Sequence, residues 1–342
     1  MNLRTAVEAA GLRTLTRLPA PVQRVLSGGA TVLDGQTLAP DLGLLLTVQN
    51  LLRIDNHDAP IEEVRAAVRR DSVIAGGNQP IGATREITVA GRPARHYLPT
   101  SPLVPVGEPG PLLLFIHGGG WIEGDIDTHD APCRLLAELS GVPVVSVTYR
   151  LGPEDVFPAA HDDVYAALRD IHERAGELGA DPARIAVGGD SAGGNMAASV
   201  AISAAQDGLP VAFQLLIYPM TDGDHVGESY RLFNQGFFLT KEFMDRAEDS
   251  YTPEKEQLFD PRMSVIRAEL PEGLAPAYVC TAGFDPLRDE GEAYAKLLAN
   301  GGHQVELERF SDQIHGFINM PVVPSSRAAT GAVAARLRTA MA

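Results

Sequence analysis

The chain has 342 residues, 45% of them hydrophobic, and a formal net charge of −16. It is long enough for one large domain, or one with a substantial insertion, and its charge repels polyanions, which excludes nucleic acid as a partner. Cys133 and Cys280 are too few for a disulfide framework and read as buried thiols; no apolar run reaches the roughly 18 residues of a membrane-crossing helix, and no apolar core follows Arg4, so a cytoplasmic chain without signal peptide is expected.

Leu3, Val7, Leu12, Leu15 and Leu18 recur at near-helical spacing until Pro19 and Pro21 break the pattern. Arg4, Arg13, Arg17 and Arg24 outnumber the acids here. Two more helical stretches run near 42–52 and 61–70. Residues 1–84 therefore read as a helical cap segment. A basic amphipathic helix on a membrane or lipid surface is the competing reading, and the sparse basic face favours the cap. From residue 85 the texture turns to strands. Segments 86–89 and 95–98 form an antiparallel pair around Gly91-Arg92-Pro93, a Pro-rich loop covers 102–111, and 112–116 is a wholly apolar strand. It ends in His117-Gly118-Gly119-Gly120-Trp121. A helix at 133–139, a strand at 144–147, a helix at 161–175 and a strand at 184–187 follow. Asp181-Pro182 reads as a turn or helix start before the last of these. This alternation is that of βαβ units and a parallel sheet.

Gly189-Asp190-Ser191-Ala192-Gly193 stands between that strand and a helix at 195–201. A strand, a glycine-flanked serine and a helix make a nucleophile elbow. Gly189 and Gly193 leave room for a turn too tight for side chains, and Ser191 is pushed out at the carboxyl end of a strand. The chain holds 14 serines and 34 glycines, so roughly 0.14 such pentapeptides arise by chance, against about 0.01 for His-Gly-Gly-Gly. Three glycines after a buried strand let backbone N–H groups converge on one point, where they can hold an oxyanion. A phosphate-cradling loop would need a Gly-Lys-Ser/Thr ending, which is missing. Beyond the elbow, 213–219 is a strand. The segment 221–267 has no strand pattern and reads as an insertion forming a lid, with Phe233, Phe237 and Phe238 joining Trp121 around a substrate pocket. The last strands are 277–281 and 304–310.

A serine nucleophile needs a base, and the base an orienting carboxylate. Of the histidines after Ser191, His225 falls in the lid and His303 precedes the final strand; only His315 follows a strand. Asp285 directly follows the penultimate strand. Asp312 shares a loop with His315 and is the second choice. Asp289 reads as a helix N-terminal charge, Asp162 and Asp163 as helix supports, and Asp190 points elsewhere on its tight turn.

These motifs, with Tyr149-Arg-Leu-Gly-Pro-Glu154, Asp285-Pro-Leu-Arg-Asp-Glu-Gly291 and Ile314-His-Gly-Phe317, resemble the GDSAG branch of the hormone-sensitive-lipase-like esterases over about residues 85–320. Gly152 stands where that family usually has alanine. The resemblance implies an α/β-hydrolase fold: a mostly parallel eight-stranded sheet flanked by helices, its core split into 85–220 and 268–342, with the helical cap 1–84 and the lid 221–267. It implies hydrolysis of carboxylic esters with short to medium acyl chains, without metal or organic cofactor. By position, Ser191 is the nucleophile, His315 the base and Asp285 the acid; the N–H groups of Gly118, Gly119 and Ala192 form the oxyanion hole. His117, Gly120, Gly189, Asp190 and Gly193 shape the two motifs. Family members often form dimers, so the resemblance also points to a homodimer, though no stretch of the sequence specifies its contact. A lipase on longer-chain lipid esters, and an amidase or deacetylase on a specialised metabolite, use the same chemistry and stay open. A non-catalytic small-molecule receptor, as in the gibberellin receptors of plants, would lack the triad histidine that His315 supplies.

Overall fold

The computed structural model describes residues 3–52 and 59–342. Its first part is helical: α1 (Leu3–Thr16), α2 (Ala20–Leu26), a two-residue ladder of β1 (Val32–Leu33) with β2 (Gln36–Thr37), α3 (Pro40–Leu52) and α4 (Ile61–Gly76). Pro19 ends the first helical run because its ring cannot sit inside a helix. Pro21 is tolerated in the first turn of α2, where no N–H partner is required. Helix α4 outruns its expected end near residue 70 and stops at Gly77, which takes φ 61°.

Eight strands build the main sheet: β3 (Ala83–Val89), β4 (Arg92–Leu98), β5 (Gly110–Ile116), β6 (Val144–Val147), β7 (Ala180–Asp190), β8 (Phe213–Ile217), β9 (Ala277–Phe284) and β10 (Val305–Ile314). Their order is β10-β9-β8-β7-β5-β6-β4-β3. All pair in parallel except β4, which is antiparallel to both β3 and β6. Strands β5, β6, β8 and β9 are buried along their whole length. They read as continuous apolar runs because helices cover both faces of the sheet. Successive side chains of β5 serve opposite faces. Leu113 and Phe115 join Cys133 and Leu136 of α5 (Asp130–Ser140) and Val333 and Leu337 of α11 (Pro324–Met341). Leu112, Leu114 and Ile116 join Val164 of α6 (Ala159–Glu173), Met196 of α7 (Ala192–Gln206) and Tyr294 of α10 (Arg288–Asn300).

Between β8 and β9 run only α8 (Glu228–Phe233), α9 (Lys241–Tyr251) and short 3-10 turns. Three details differ from the sequence reading. Asp181-Pro182 lies inside β7, where the pairing with β5 shifts register between Gly110 and Leu112 and absorbs a residue that cannot donate to the ladder. The last strand continues to Ile314, so 311–314 is strand rather than loop. Helix α11 was not among the expected elements, although Ala329, Val333, Leu337 and Met341 recur at helical spacing and all are buried. Both cysteines are buried and unpaired, and burial pushes each thiol pKa up. Among the described residues no helix is long and apolar enough to cross a membrane.

Candidate active site

Three parallel strands deliver three side chains to one edge of the sheet. The end of β7 turns into α7 at Ser191, whose φ of 57° and ψ of −122° place a non-glycine residue in left-handed backbone. Only close backbone approach permits this turn: a Cβ on Gly193 would stand 2.7 Å from the carbonyl oxygen of His117. Asp285 follows β9 and His315 follows β10 directly. The Ser191 Oγ lies 2.9 Å from His315 Nε2, and His315 Nδ1 lies 2.8 Å from Asp285 Oδ2. Asp285 is fully buried, and its other oxygen accepts the N–H of Leu287 at 2.9 Å. A carboxylate so engaged only accepts, which assigns the imidazole hydrogen to Nδ1 and leaves the Nε2 lone pair for the Ser191 hydroxyl.

The runners-up fall away for geometric reasons. Asp312 is on the exposed side of β10 and accepts from Gln313. Asp289 holds the N–H of Ser229 at the start of α10. His303 sits beyond the far end of α10, where its N–H caps Leu298. His225 is held by two carboxylates, Glu290 at 3.0 Å and Glu248 of α9. Burial pushes the His225 pKa down, but the two carboxylates outweigh it and carry it up to about 10.

The glycine loop corrects one expectation. The N–H of Gly118 does not face the serine; it donates to Asp190 Oδ1 at 2.9 Å. A side chain at Gly118 would collide with that residue, since its Cβ would stand 2.7 Å from the Asp190 carbonyl oxygen. The Asp190 carboxylate also accepts from the Tyr218 hydroxyl at 3.3 Å and from Asn319 Nδ2 at 3.2 Å. His129 Nε2 is 3.2 Å from Oδ1, an ion-pair distance without hydrogen-bond alignment. Burial pushes the Asp190 pKa up; His129 and the Gly118 N–H overcome it and hold the carboxyl below its usual range. Among the described residues, the N–H groups of Gly119 and Gly120 meet no protein acceptor. Ala192, as the first residue of α7, has no intrahelical partner for its own N–H. His117 is held neutral, its pKa pushed by burial down to about 4. It stacks on Tyr149 at 4.2 Å, and the Tyr149 hydroxyl donates to its carbonyl at 2.7 Å.

The proposed pocket residues separate into three situations. Phe233 is a correction: it is fully buried in a third core cluster, packed on Phe237 at 5.3 Å and Phe284 at 5.4 Å, and lines no open surface. Aromatic spacing in an insertion did not distinguish core from wall. Trp121 is buried and stacks on Tyr251 of α9 at 5.5 Å. Phe237 is half-buried, and Phe238 is 47% exposed with φ 81°. The Phe238 ring lies over Gly316, 2.9 Å from where a Cβ would stand, beside His315. Helix α9 presses Ala247 and Phe243 against Gly120.

Sequence reasoning also missed a buried clamp. Asn195, one turn after Ser191, donates to the carbonyls of Met263 and Met220 and pairs its oxygen with His161 Nε2 at 3.1 Å. His161 in turn meets the Tyr251 hydroxyl at 3.0 Å. A lone amide in an otherwise small and apolar helix face was the available signal. Among the described residues no group of His, Cys, Asp and Glu could hold a metal ion.

A doubly covered parallel sheet, a strained serine at a strand end and a Ser–His–Asp relay define the α/β-hydrolase class. The model of an α/β-hydrolase-fold family matches residues 113–319. The chain is 43% identical over 324 residues to the carboxylic ester hydrolase LipN of Mycobacterium tuberculosis, covering 91% of this chain and 85% of that one. An ester hydrolase from the Lake Arreo metagenome superposes with a TM-score of 0.82 at 38% identity, over 88% of this chain and 98% of that one. A hyperthermophilic esterase from Pyrobaculum calidifontis gives 0.79 at 38% identity, over 86% and 97%. This chain belongs to the α/β-hydrolase family.

Proposed function

We propose that Ser191, His315 and Asp285 hydrolyse carboxylic esters by two-step acyl transfer. The chain is an ester hydrolase of the α/β-hydrolase family. The continuous relay from Ser191 Oγ through His315 to the buried Asp285 carries it. His315 Nε2 takes the proton as Ser191 attacks the ester carbonyl. Charge then builds on the carbonyl oxygen, and the N–H groups of Gly119, Gly120 and Ala192 hold it, Gly118 being engaged by Asp190. The alcohol leaves with the proton from His315, and water activated by the same imidazole releases the acid. Phe238 and Phe243 supply an apolar wall suited to short and medium acyl chains, beneath a cap formed by the first four helices and the α8–α9 segment.

The test is hydrolysis of nitrophenyl esters from acetyl to palmitoyl by the wild type beside Ser191→Ala. Activity that peaks at short chains and falls by on the order of 10⁶ in the variant supports the reading. Appreciable turnover by folded Ser191→Ala counts against the nucleophile. Activity rising with chain length at a lipid interface would favour the lipase reading, for which the exposed Val22, Val25 and Leu26 of α2 beside Arg24 are the supporting observation.

A further inference from the structure

Glu123 follows the glycine loop closely and is bound to it. Its N–H donates to the Gly119 carbonyl at 3.0 Å, as does that of Ile122 at 3.1 Å. Its side-chain stem lies against the same peptide: a Cβ on Gly119 would stand 3.1 Å from Glu123 Cγ. Its Oε2 is buried and, among the described residues, has no hydrogen-bond partner.

The charged groups around it are committed to other acceptors. From α4, Arg65 donates to Glu62, to Glu154 and to the carbonyls of Ile122 and Gly152. From α9, Arg246 donates to the carbonyl of Ala59. Ahead of α5, His129 meets Thr128 and faces Asp190. From beyond β6, Tyr149 gives its hydroxyl hydrogen to His117. An ionised carboxylate would leave a buried charge on an unpartnered oxygen, and a group in that position keeps its proton instead. Burial pushes the Glu123 pKa up to about 7, against the pull of Arg246, His129 and Arg65.

We propose that Glu123 is a positioning residue of the oxyanion loop that works as the neutral acid, so that its ionisation sets the alkaline limit of turnover. This rests on the acyl-transfer reading above. The sign follows from the charges. The Gly119 and Gly120 N–H groups must face a developing negative oxygen, and a second negative charge packed behind Gly119 opposes it. Loss of the Glu123 proton should lower kcat/KM by on the order of tenfold.

The decisive experiment is the pH profile of kcat/KM for a short acyl ester, from about pH 6 to about pH 9, for the wild type, Glu123→Gln and the second neutral variant Glu123→Met. The wild type should fall on the alkaline side with a midpoint near 7, and the neutral variants should not. Wild-type turnover that stays level across that range overturns the proposal, as does an unchanged alkaline fall in either folded neutral variant. A merely structural role would lower the whole profile without moving its midpoint.

Thermal stability gives an independent readout. Between the ordinary glutamate value of 4.5 and about 7, the folded chain holds a proton that the unfolded chain has released, so wild-type stability falls as pH rises through that window. The Tm of Glu123→Gln relative to wild type should therefore rise between about pH 5 and about pH 8, and a constant difference contradicts the neutral acid. Because Tm does not depend on Ser191, failure of the acyl-transfer reading and failure of the Glu123 assignment are told apart.

Discussion

The floor and the roof of the site are built by different rules. The floor is the edge where β5, β7, β9 and β10 end. Asp190, Asp285 and His315 are buried there, and its turns approach so closely that a single methyl at Gly118 or Gly193 would collide with backbone. The roof is the segment between β8 and β9, where Phe238 is largely open to solvent, Phe237 is half-buried and His225 fastens α9 to α10 through carboxylates. Reacting atoms must be held to a few tenths of an ångström, so the residue type at each floor position is dictated. A wall for an acyl chain needs only apolar area, which many residues can provide.

The sharpest break should come on the floor. Asp285→Asn should lower kcat by about 10⁴ while leaving the fold intact, because the imidazole would then be held in the wrong tautomer. Asp312→Asn, exposed on β10, should turn over at the wild-type rate; steady-state kinetics of the two proteins checks both halves. If Asp312→Asn were the slow one, the floor would be misassigned.

Where roof meets core, the expected effect is on stability. His225→Gln leaves Glu248 and Glu290 facing each other without a cation, a loss of roughly 3–5 kcal/mol near neutral pH. The His225 pKa is raised from 6.5 to about 10, so its contribution is complete below 6.5 and disappears as pH rises through about 10. Denaturant titrations of wild type and variant should converge at strongly alkaline pH. A gap that stays constant with pH would show that the ion pairs are not its source.

The smallest effect belongs to the open wall. Phe238→Ala should raise KM for medium-chain esters by roughly threefold to tenfold with kcat and acetyl-ester KM little changed, reflecting a few lost methylene contacts. A matching loss for the acetyl ester would place Phe238 in support of His315 instead of the acyl chain.

The same division governs what could be read from the residues alone. The meeting of Ser191, Asp285 and His315 was legible because a parallel sheet puts all its strand ends on one edge, and each residue directly follows a strand. Choosing Asp285 over Asp312 needed only that position, and the extension of β10 to Ile314 explains why Asp312 faces outward. The use of Gly118 was not legible. A run of three glycines has no side chains to tell one N–H from the next, and the group that decides, Asp190, lies far along the chain. Phe233 failed for a related reason. In an insertion without periodicity, a buried phenylalanine and a pocket phenylalanine look alike, and only the contact with Phe284 separates them. Glu123 gave no signal as a single acid two residues after Trp121; the isolation of its Oε2 exists only in the folded chain.

Asp190 joins what the strands keep apart. One carboxylate touches the loop after β5, the approach to α5, the end of β8 and the turn that follows His315, through Gly118, His129, Tyr218 and Asn319. A change at this position is therefore not one substitution but four simultaneous errors, in a loop angle, an imidazole, a phenol and an amide.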